Sequence, residues 1–352
     1  MRSYSVVRSC RLAAVLLACA ILCAAVLETR AAAASPQAYS AKSSGSILYH
    51  KAGSLWVASP SGKRPHRIPH SRGLESPSQD NRGRIVAQRG IKLYRLSRKG
   101  KLLNKPIITA FRTNPIVRSF KGPFFPEVSP DGGKIAYTYS FTESHYDYNC
   151  GCVLTSPSLS TTYTASNRFV ADPEKKYGIA RFYYHSSWVT SRSTVGTTPD
   201  LFDYGGNGLN SVEIDPLGGG ADSYNSWFTE CNPCDYANVK KYPLDEPELT
   251  RKQDKAVFVS GELDETLPGR YLFIYPLPAR PTALPQHFCR IAGATGKFSS
   301  PSWSPDGRSL AWADRKGIWV GTVGNLAGDS CEIKSKLVIR RGSTPDWGPA
   351  RP

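Results

Sequence analysis

Residues 299–323 read SSPSWSPDGRSLAWADRKGIWVGTV, and a Ser-Pro-Asp-Gly run at 304–307 stands between two short apolar segments. Proline presets the backbone for the second position of a type I turn, while serine suits the first position and glycine the fourth. The stretch therefore predicts two short strands that are joined by a tight turn.

This unit is repeated along the chain. FPEVSPDGGKIAYTY at 125–139 matches SPSWSPDGRSLAWAD at 300–314, and EPELTRKQDKAVFVS at 246–260 keeps the same frame. Weaker copies are SPSQDNRGRIVAQ at 76–88 and HSSWVTSRSTV at 185–195, and TPDWGPA at 344–350 begins another copy. Short strands that recur with a period of roughly 40–60 residues are typical of a β-propeller.

We therefore predict an all-β fold, a six-bladed propeller over residues 45–352. The fragment at 345–350 is expected to complete the blade formed by the N-terminal strands of 45–76, because closing the ring removes exposed sheet edges. The other five blades are expected at 77–125, 126–185, 186–246, 247–300 and 301–344. Trp188, Trp303 and Trp347 occupy equivalent places and are expected to pack between neighbouring blades.

The motifs PSWSPDG and PEVSPDGGKIAY resemble the WD40-like (PD40-type) repeat of TolB-like propellers. The resemblance covers nearly all of residues 45–352 and is strongest in the blades that begin at 126, 247 and 301. It implies an exported six-bladed propeller that binds other proteins at the mouth of its channel. TolB itself carries an extra N-terminal α/β domain, for which residues 35–44 leave no room.

The first residues have the pattern of an export signal. Arg2, Arg8 and Arg11 precede an uncharged apolar run, and Ala32 and Ala34 form an A-x-A cleavage pattern. We expect a signal peptide at 1–34 and a linker at 35–44, hence a secreted or periplasmic protein of the cell envelope. A lipoprotein anchor through Cys19 is the alternative, and no transmembrane span is expected in the mature chain.

Six cysteines would remain after cleavage, and an even number in an exported chain favours disulfides. We expect one disulfide between Cys289 and Cys331. The remaining four are expected to pair across the two irregular blades, with Cys150 and Cys152 bonded to Cys231 and Cys234 in an unassigned order. The CxC and CxxC spacings also suit a four-thiolate zinc site.

The blades within 126–246 carry long segments that are rich in Tyr, Ser and Thr, and long loops on a rigid scaffold are frequent functional sites. No serine-nucleophile elbow, zinc-protease motif or phosphate-binding loop is present in the sequence. His145 and His185 are the histidines that could converge, with Glu143 or Asp147 as partners. We expect no catalytic residues, no metal and no cofactor.

Positive charge is concentrated in residues 61–121, which hold sixteen basic and two acidic residues. Such a window attracts anionic surfaces and polymers. The candidate anion-binding residues lie near strand ends and hairpin tips: Arg82, Arg84, Arg89, Lys92, Arg95, Arg98, Lys99 and Lys101. Export makes nucleic acid an unsuitable partner.

Three functions are compatible with the sequence, and the third is a sensor or accessory domain whose catalytic partner is a separate chain. The first is a non-catalytic, monomeric binding or scaffold protein of the cell envelope, whose loops contact a protein or a polyanion. The alternative is a propeller enzyme, a lyase or glycan hydrolase, that uses carboxylates or histidine at the channel mouth. Clustered buried carboxylates or histidine at that mouth would favour the enzyme, whereas a loop face of Tyr and Arg would favour binding.

Overall fold

The computed structural model describes twelve segments of the chain: residues 45–108, 117–147, 150–168, 184–198, 211–216, 225–227, 244–261, 270–277, 289–291, 297–324, 326 and 333–352. These residues all belong to one compact unit, Ala41–Pro352. The predicted signal peptide, the linker and Cys19 lie outside the described residues. Among those that are described, no helix is long and apolar enough to cross a membrane.

Every regular element of the described residues is a β-strand, and the strands form antiparallel sheets that we number I to VI. Sheet I contains β1 (Ser46–Lys51), β2 (Ser54–Ala58) and β3 (His66–Arg67), and it also contains the last strand of the chain, β23 (Ser343–Gly348). Sheet II contains β4 (Glu75–Gln79), β5 (Ile85–Arg89), β6 (Lys92–Leu96) and β7 (Leu102–Asn104). Sheet III has three described strands, β8 (Val117–Val128), β9 (Lys134–Asp147) and β10 (Cys152–Ala165).

The other three sheets have four strands each. Sheet IV contains β11 (Tyr184–Thr190), β12 (Ser193–Thr198), β13 (Ser211–Pro216) and β14 (Asn225–Trp227). Sheet V contains β15 (Leu244–Leu249), β16 (Lys255–Gly261), β17 (Arg270–Pro276) and β18 (Cys289–Ile291). Sheet VI contains β19 (Ser299–Trp303), β20 (Ser309–Asp314), β21 (Gly317–Val323) and β22 (Ile333–Arg340).

The prediction of an all-β propeller is confirmed, but the described residues form five four-stranded blades and not the six predicted. Five of the sheets have the four antiparallel strands of a propeller blade, and sheet III has three described strands. In sheet I, β23 pairs with β1 through Ile47 and Trp347, so residues from both ends of the described chain share one sheet.

The apolar core lies between adjacent sheets. Trp303 is 3% exposed and packs between sheets V and VI, among Val257, Leu272 and Leu310. Trp347 packs between sheets VI and I. Trp188 of sheet IV packs against Tyr163 of sheet III, with ring centroids 5.9 Å apart. The prediction that the three tryptophans pack between sheets is confirmed, and each replaces water on the face of one sheet with contact from the next.

The Ser-Pro-Asp-Gly runs form the predicted tight turns. The amide of Gly307 donates to the carbonyl of Ser304 (2.8 Å), and that of Gly132 donates to Ser129 (2.7 Å). Both glycines have positive φ, 69° and 71°. The hydroxyl of Ser304 donates to Asp306 Oδ1 (2.6 Å), so serine and aspartate stabilise the turn through their side chains as well.

The cysteine pairing differs from the prediction. Cys150 is bonded to Cys152, with their Cα atoms 5.2 Å apart, so the predicted bonds from these residues to Cys231 and Cys234 are wrong. Both cysteines lie at the turn between β9 and β10, where Gly151 adopts a φ of 62° and brings them within bonding reach. Cys289 is disulfide-bonded. Cys331, its predicted partner, lies outside the described residues together with Cys231 and Cys234, so that pairing stays a prediction.

Candidate functional site

The first strands of all six sheets line one central channel with a cavity of about 370 Å³. These inner strands are β23, β4, β8, β11, β15 and β19. Each has a register irregularity against its neighbour, and each carries one non-glycine residue with a φ of 46–50° at that place. The repeated bulge puts equivalent residues of the six strands at the same depth in the channel.

The residues with positive φ form the mouth of the channel. They are Thr344, Ser76, Phe125, His185, Glu246 and Ser300, in order from sheet I to sheet VI. The backbone conformation is shared, while the side chains range from serine, at Ser76 and Ser300, to the aromatic Phe125 and the acidic Glu246, so the repeats differ in side chain at the mouth.

Two residues further along each inner strand, acidic and serine side chains alternate around the channel. From sheet I to sheet VI this level reads Asp346, Ser78, Glu127, Ser187, Glu248 and Ser302. We call these six residues the alternating ring. Its three carboxylates stand on alternate sheets, and its three hydroxyls stand between them.

The alternating ring joins neighbouring sheets through hydrogen bonds. The backbone amide of Trp303 donates to both carboxylate oxygens of Glu248 (3.1 Å each). The amide of Val128 donates to Ser78 Oγ (3.0 Å), and that of Trp347 donates to Ser302 Oγ (2.9 Å). Gln79 donates its amide to Asp346 in the same way. In each of these bonds the donor amide lies on one sheet and the acceptor side chain on the preceding sheet. The ring therefore links inner strands that do not pair with each other as neighbouring β-strands.

Burial changes the acidity of the ring. It raises the pKa of Asp346 to about 7, although the amide of Gln79 acts in the opposite direction. Burial also raises the pKa of Glu127 well above its usual range; the charge of Asp346 adds to this, while the Ser78 hydroxyl (2.7 Å) opposes it. Burial likewise raises the pKa of Glu248 well above its usual range. At least one carboxyl group of the alternating ring, that of Asp346, therefore titrates near neutral pH.

The end of the channel opposite the mouth is crossed by an arginine. Arg251 Nη2 donates to Asn81 Oδ1 (2.7 Å), and the two residues belong to turns that follow β15 and β4, on opposite sides of the channel. The guanidinium charge lowers the pKa of both Glu248 and Asp346, partly offsetting their burial. The cavity is thus bridged at this end and open at the mouth.

An aromatic and acidic group lies at the mouth. The ring of Phe125, which is 47% exposed, lies edge-on to the His185 imidazole with centroids 3.8 Å apart. His185 Nδ1 is hydrogen-bonded to Asp245 Oδ1, and Glu246 accepts from the amide of Ser300. Ligand atoms of His185, Asp245 and Glu246 all lie within 4.8 Å of one another, which is a geometry that could hold a cation.

The predicted convergence of His145 and His185 falls partly outside the described residues. His185 contacts Phe125 and Thr138 of sheet III, and its imidazole is hydrogen-bonded to Asp245 of the next sheet. The side chains of Glu143, His145 and Asp147 lie outside what the structure describes.

The candidate anion-binding residues of the basic window, residues 61–121, fall into two groups: some stabilise the fold and others are exposed. Arg84 is paired with Asp80 and donates to the carbonyl of Asp131 (2.9 Å). Arg95 is 7% exposed and donates to the carbonyl of Gly132 (3.1 Å), and burial lowers its pKa. Both arginines hold the Ser-Pro-Asp-Gly turn of sheet III against sheet II. Arg95 therefore lies in the interior, and not on a rim as predicted.

The exposed members lie on both rims of the propeller. Arg82 and Lys99 are exposed on turns at the bridged end, where Lys101 is exposed and Arg98 half-buried. Arg89 and Lys92 are exposed at the turn between β5 and β6, on the rim that surrounds the mouth. Anion binding by these exposed residues stays a prediction.

The alternating ring was missed by the sequence analysis although its signal is present. Every copy of the repeat places a ring residue directly after the aligned Pro77, Pro126, Pro247, Pro301 or Pro345, or after Ser186. Comparing that single position across the copies, and not only the turn motif, would have shown the alternation of acid and serine.

Solved structures similar to this chain include β-propeller proteins. TolB from Acinetobacter baumannii is 15% identical with a TM-score of 0.49, over 86% of this chain and 66% of that one. A putative TolB from Agrobacterium tumefaciens is 14% identical with a TM-score of 0.46, over 87% of this chain and 94% of that one. Kuenenia stuttgartiensis hydrazine synthase is 10% identical with a TM-score of 0.49, over 88% of this chain and 47% of that one. At these identities the likeness concerns the fold alone.

No family model matches the chain. No curated protein matches it either.

Proposed function

We propose that this chain is an exported binding protein that receives a cationic segment of another protein in the mouth of its channel. The observation that carries the proposal is the cluster of carboxyl groups among the described lining residues; burial raises the pKa of three of them, and a cation in the channel would favour their ionised forms. The described lining residues include four carboxyl groups, from Glu127, Glu246, Glu248 and Asp346, against one guanidinium at the far end and one imidazole. A channel with acidic walls and restricted water attracts cations more strongly than an exposed acidic surface does.

The architecture supports a rigid binding mouth. We infer that sheet III serves as the sixth blade and that the six sheets form a closed ring, because each sheet contacts the next and β23 contacts both β19 and β4. A closed ring holds six short inner strands in a fixed arrangement without exposed edges. Export through residues 1–34 is part of the proposal, and it would place the mouth in a compartment of the cell envelope.

The mouth also offers an apolar anchor. Phe125 keeps nearly half of its surface exposed, and aromatic side chains at the centre of an interface contribute much of the binding free energy. A segment that combines Lys or Arg with an apolar residue would therefore fit better than a purely charged one.

Binding of synthetic peptides to the mature chain tests the proposal. The probes are a decapeptide with three lysines and one leucine and a matched decapeptide in which glutamate replaces lysine. We expect only the lysine peptide to bind by isothermal titration calorimetry, with an affinity that falls as salt rises. Glu127→Gln or Phe125→Ala should weaken binding about tenfold, since an ion pair formed with the bound cation or an aromatic anchor contributes on the order of 1–2 kcal/mol.

Glu75→Gln is the matched control, because Glu75 is exposed at the start of β4 and lies outside the channel lining. This variant should bind like the unchanged protein. Equal binding of the two peptides, or a Glu75→Gln effect as large as that of Glu127→Gln, would contradict a channel site.

A propeller enzyme is the second candidate, and the cluster of His185, Asp245 and Glu246 favours it. An imidazole hydrogen-bonded to a carboxylate is a general acid–base arrangement, and it lies beside the open cavity. Turnover of acidic or neutral glycans by the purified chain, lost in His185→Gln but retained in Glu127→Gln, would favour this candidate over binding alone.

A further inference from the structure

The hairpin of β9 and β10 ends in a disulfide between residues only two apart. Cys150 and Cys152 flank Gly151, and the bond closes a ring that contains three residues. The tip lies on the mouth side of sheet III, nine residues along β9 from Thr138, which pairs with Phe124 beside the mouth. A strand of that length spans about 30 Å, so the tip projects well beyond the mouth.

The disulfide adds little to the structure of the hairpin. The β9–β10 ladder pairs continuously from Lys134 opposite Ala165 to Asp147 opposite Cys152, with no register shift. Because a disulfide stabilises mainly by closing a long loop in the unfolded chain, a three-residue loop gives a small effect. The bond also links no second sheet or distant segment, so a structural role accounts poorly for two cysteines here.

The disulfide is also accessible. Cys150 and Gly151 are exposed, and Cys152 is half-buried. The cross-strand pair next to it, Tyr146 and Val153, is 53% and 64% exposed. Cys289, by contrast, belongs to a disulfide and is 2% exposed in the core between sheets V and VI. Exposed disulfides are the ones that exchange with thiols, whereas buried ones resist reduction.

We propose that Cys150 and Cys152 form a thiol–disulfide exchange site whose substrate is a polypeptide dithiol with an apolar residue nearby. A substrate thiolate attacks Cys150 Sγ, the bond between the two sulfurs breaks, and Cys152 leaves as a thiolate. The second substrate thiolate then attacks the mixed disulfide and releases Cys150. The substrate loses two electrons and gains a disulfide, the Cys150–Cys152 pair gains both electrons, and the substrate's two protons pass to the released thiolates or to solvent.

Tyr146 and Val153 are assigned the docking role at this site. They expose aromatic and apolar surface on the ladder pair next to Cys152, where an unfolded chain would offer its own apolar side chains. The inference goes beyond the channel function and does not depend on it, because the tip and the mouth use different residues.

A redox titration of the folded mature chain gives the first test. The protein is equilibrated with graded ratios of reduced to oxidised glutathione, free thiols are alkylated, and the labelled peptides are quantified by mass spectrometry. We expect Cys150 and Cys152 to become labelled at ratios where Cys289 remains oxidised and the circular dichroism spectrum is unchanged. Labelling of Cys150 only together with Cys289, or only on unfolding, would overturn the proposal.

Oxidation of a reduced peptide gives the second test. The probe is a peptide with two cysteines separated by two residues and a neighbouring leucine, and its oxidation is followed by fluorescence. We expect one equivalent of peptide to be oxidised per protein, at least about tenfold faster than by the same concentration of oxidised glutathione, because the site combines access with docking. Oxidation no faster than by glutathione disulfide would overturn the proposal.

Two variants separate reaction from docking. The double change Cys150→Ser with Cys152→Ser should abolish peptide oxidation while leaving the Cys289 disulfide intact. The double change Tyr146→Ser with Val153→Ser should slow peptide oxidation several-fold yet leave the glutathione titration of Cys150 and Cys152 unchanged. Peptide oxidation that persists in the cysteine variant, or that is unaffected in the docking variant, would contradict the assigned roles.

Discussion

The two rims of this propeller, the turn rim at the bridged end and the mouth rim at the open end, are formed by the same repeated strands but differ in how tightly they pack. At the bridged end, Ser-Pro-Asp-Gly turns pack closely against the neighbouring sheet, and Arg251 reaches across the channel to Asn81. At the mouth end, equivalent positions carry side chains as different as those of Ser76, Phe125 and Glu246, Phe125 is exposed, and the β9–β10 hairpin projects outward. The difference indicates that the turn rim, at the bridged end, stabilises the packing between sheets, whereas the mouth rim tolerates different side chains.

Contacts between sheets show the same contrast in detail. A Cβ atom on Gly132, at the turn rim, would lie 2.1 Å from both Arg84 Nη2 and Asp80 Oδ2. A Cβ atom on Gly53, at a turn of the mouth rim, would meet nothing within 4 Å. The two glycines have nearly the same φ, 71° and 72°, so they differ in their surroundings and not in their backbone.

The largest expected effect comes from comparing these two glycines. Gly132→Ala should lower the free energy of unfolding by about 2–4 kcal/mol, because the strain of a positive φ adds to a displaced Asp80–Arg84 pair. Gly53→Ala should cost about 1 kcal/mol, which is the backbone strain alone. Urea unfolding of both variants measures the difference, and equal losses would show that the turn rim is no more tightly packed than the mouth rim.

The next effect concerns the alternating ring, which lies between the rims. The pKa of Asp346 is raised by burial to about 7, above the value of about 3.9 expected when unfolded. Its protonated form therefore favours the folded state, and this stability is fully present below pH 4 and is lost as pH rises towards 7. Asp346→Asn keeps an oxygen acceptor for Gln79 but cannot ionise.

We accordingly expect Asp346→Asn to be more stable than the unchanged protein by on the order of 1–3 kcal/mol at pH 8, and nearly equal to it at pH 4. Unfolding by urea across this pH range measures the difference, with Glu75→Gln as a control that should show no such trend. If the difference in free energy of unfolding between the two proteins is constant with pH, or grows towards acid pH, it would contradict an ionisable carboxyl group buried in the alternating ring.

The smallest effect concerns the exposed charges of the two rims. If the bridged end binds anionic envelope polymers, Lys99→Gln with Lys101→Gln should weaken binding to heparin-Sepharose and lower the salt concentration needed for elution. Stability should change by less than about 0.5 kcal/mol, because both side chains are exposed.

The matched control removes two exposed charges, Arg315 and Lys316, from a turn on the mouth rim. Arg315→Gln with Lys316→Gln lowers the net charge equally, so a purely long-range attraction would respond equally to both variants. An equal shift in elution would therefore leave the bridged end without a dedicated anion site.

Much of the fold could be predicted because its signals are local. The turn of residues 304–307 is stabilised by its own serine, aspartate and glycine, and the copies at 125–139 and 246–260 repeat the spacing that makes a propeller. The bond between Cys150 and Cys152 could not be predicted in this way, because it depends on the turn of β9 into β10, where Gly151 adopts a positive φ. The exposed and the structural arginines of the basic window also look alike in the sequence, and only packing separates Arg95 from Lys99.

The sequence by itself determined the class of fold and the position of each inner strand, because turn chemistry and strand alternation act over a few neighbouring residues. Only the tertiary structure decided what those strands bring together. The carboxylates of the alternating ring come from three separate sheets, and His185 meets Asp245 from sixty residues away. Such contacts depend on how the sheets are arranged around the channel, and no local pattern encodes the electrostatic environment that burial there creates.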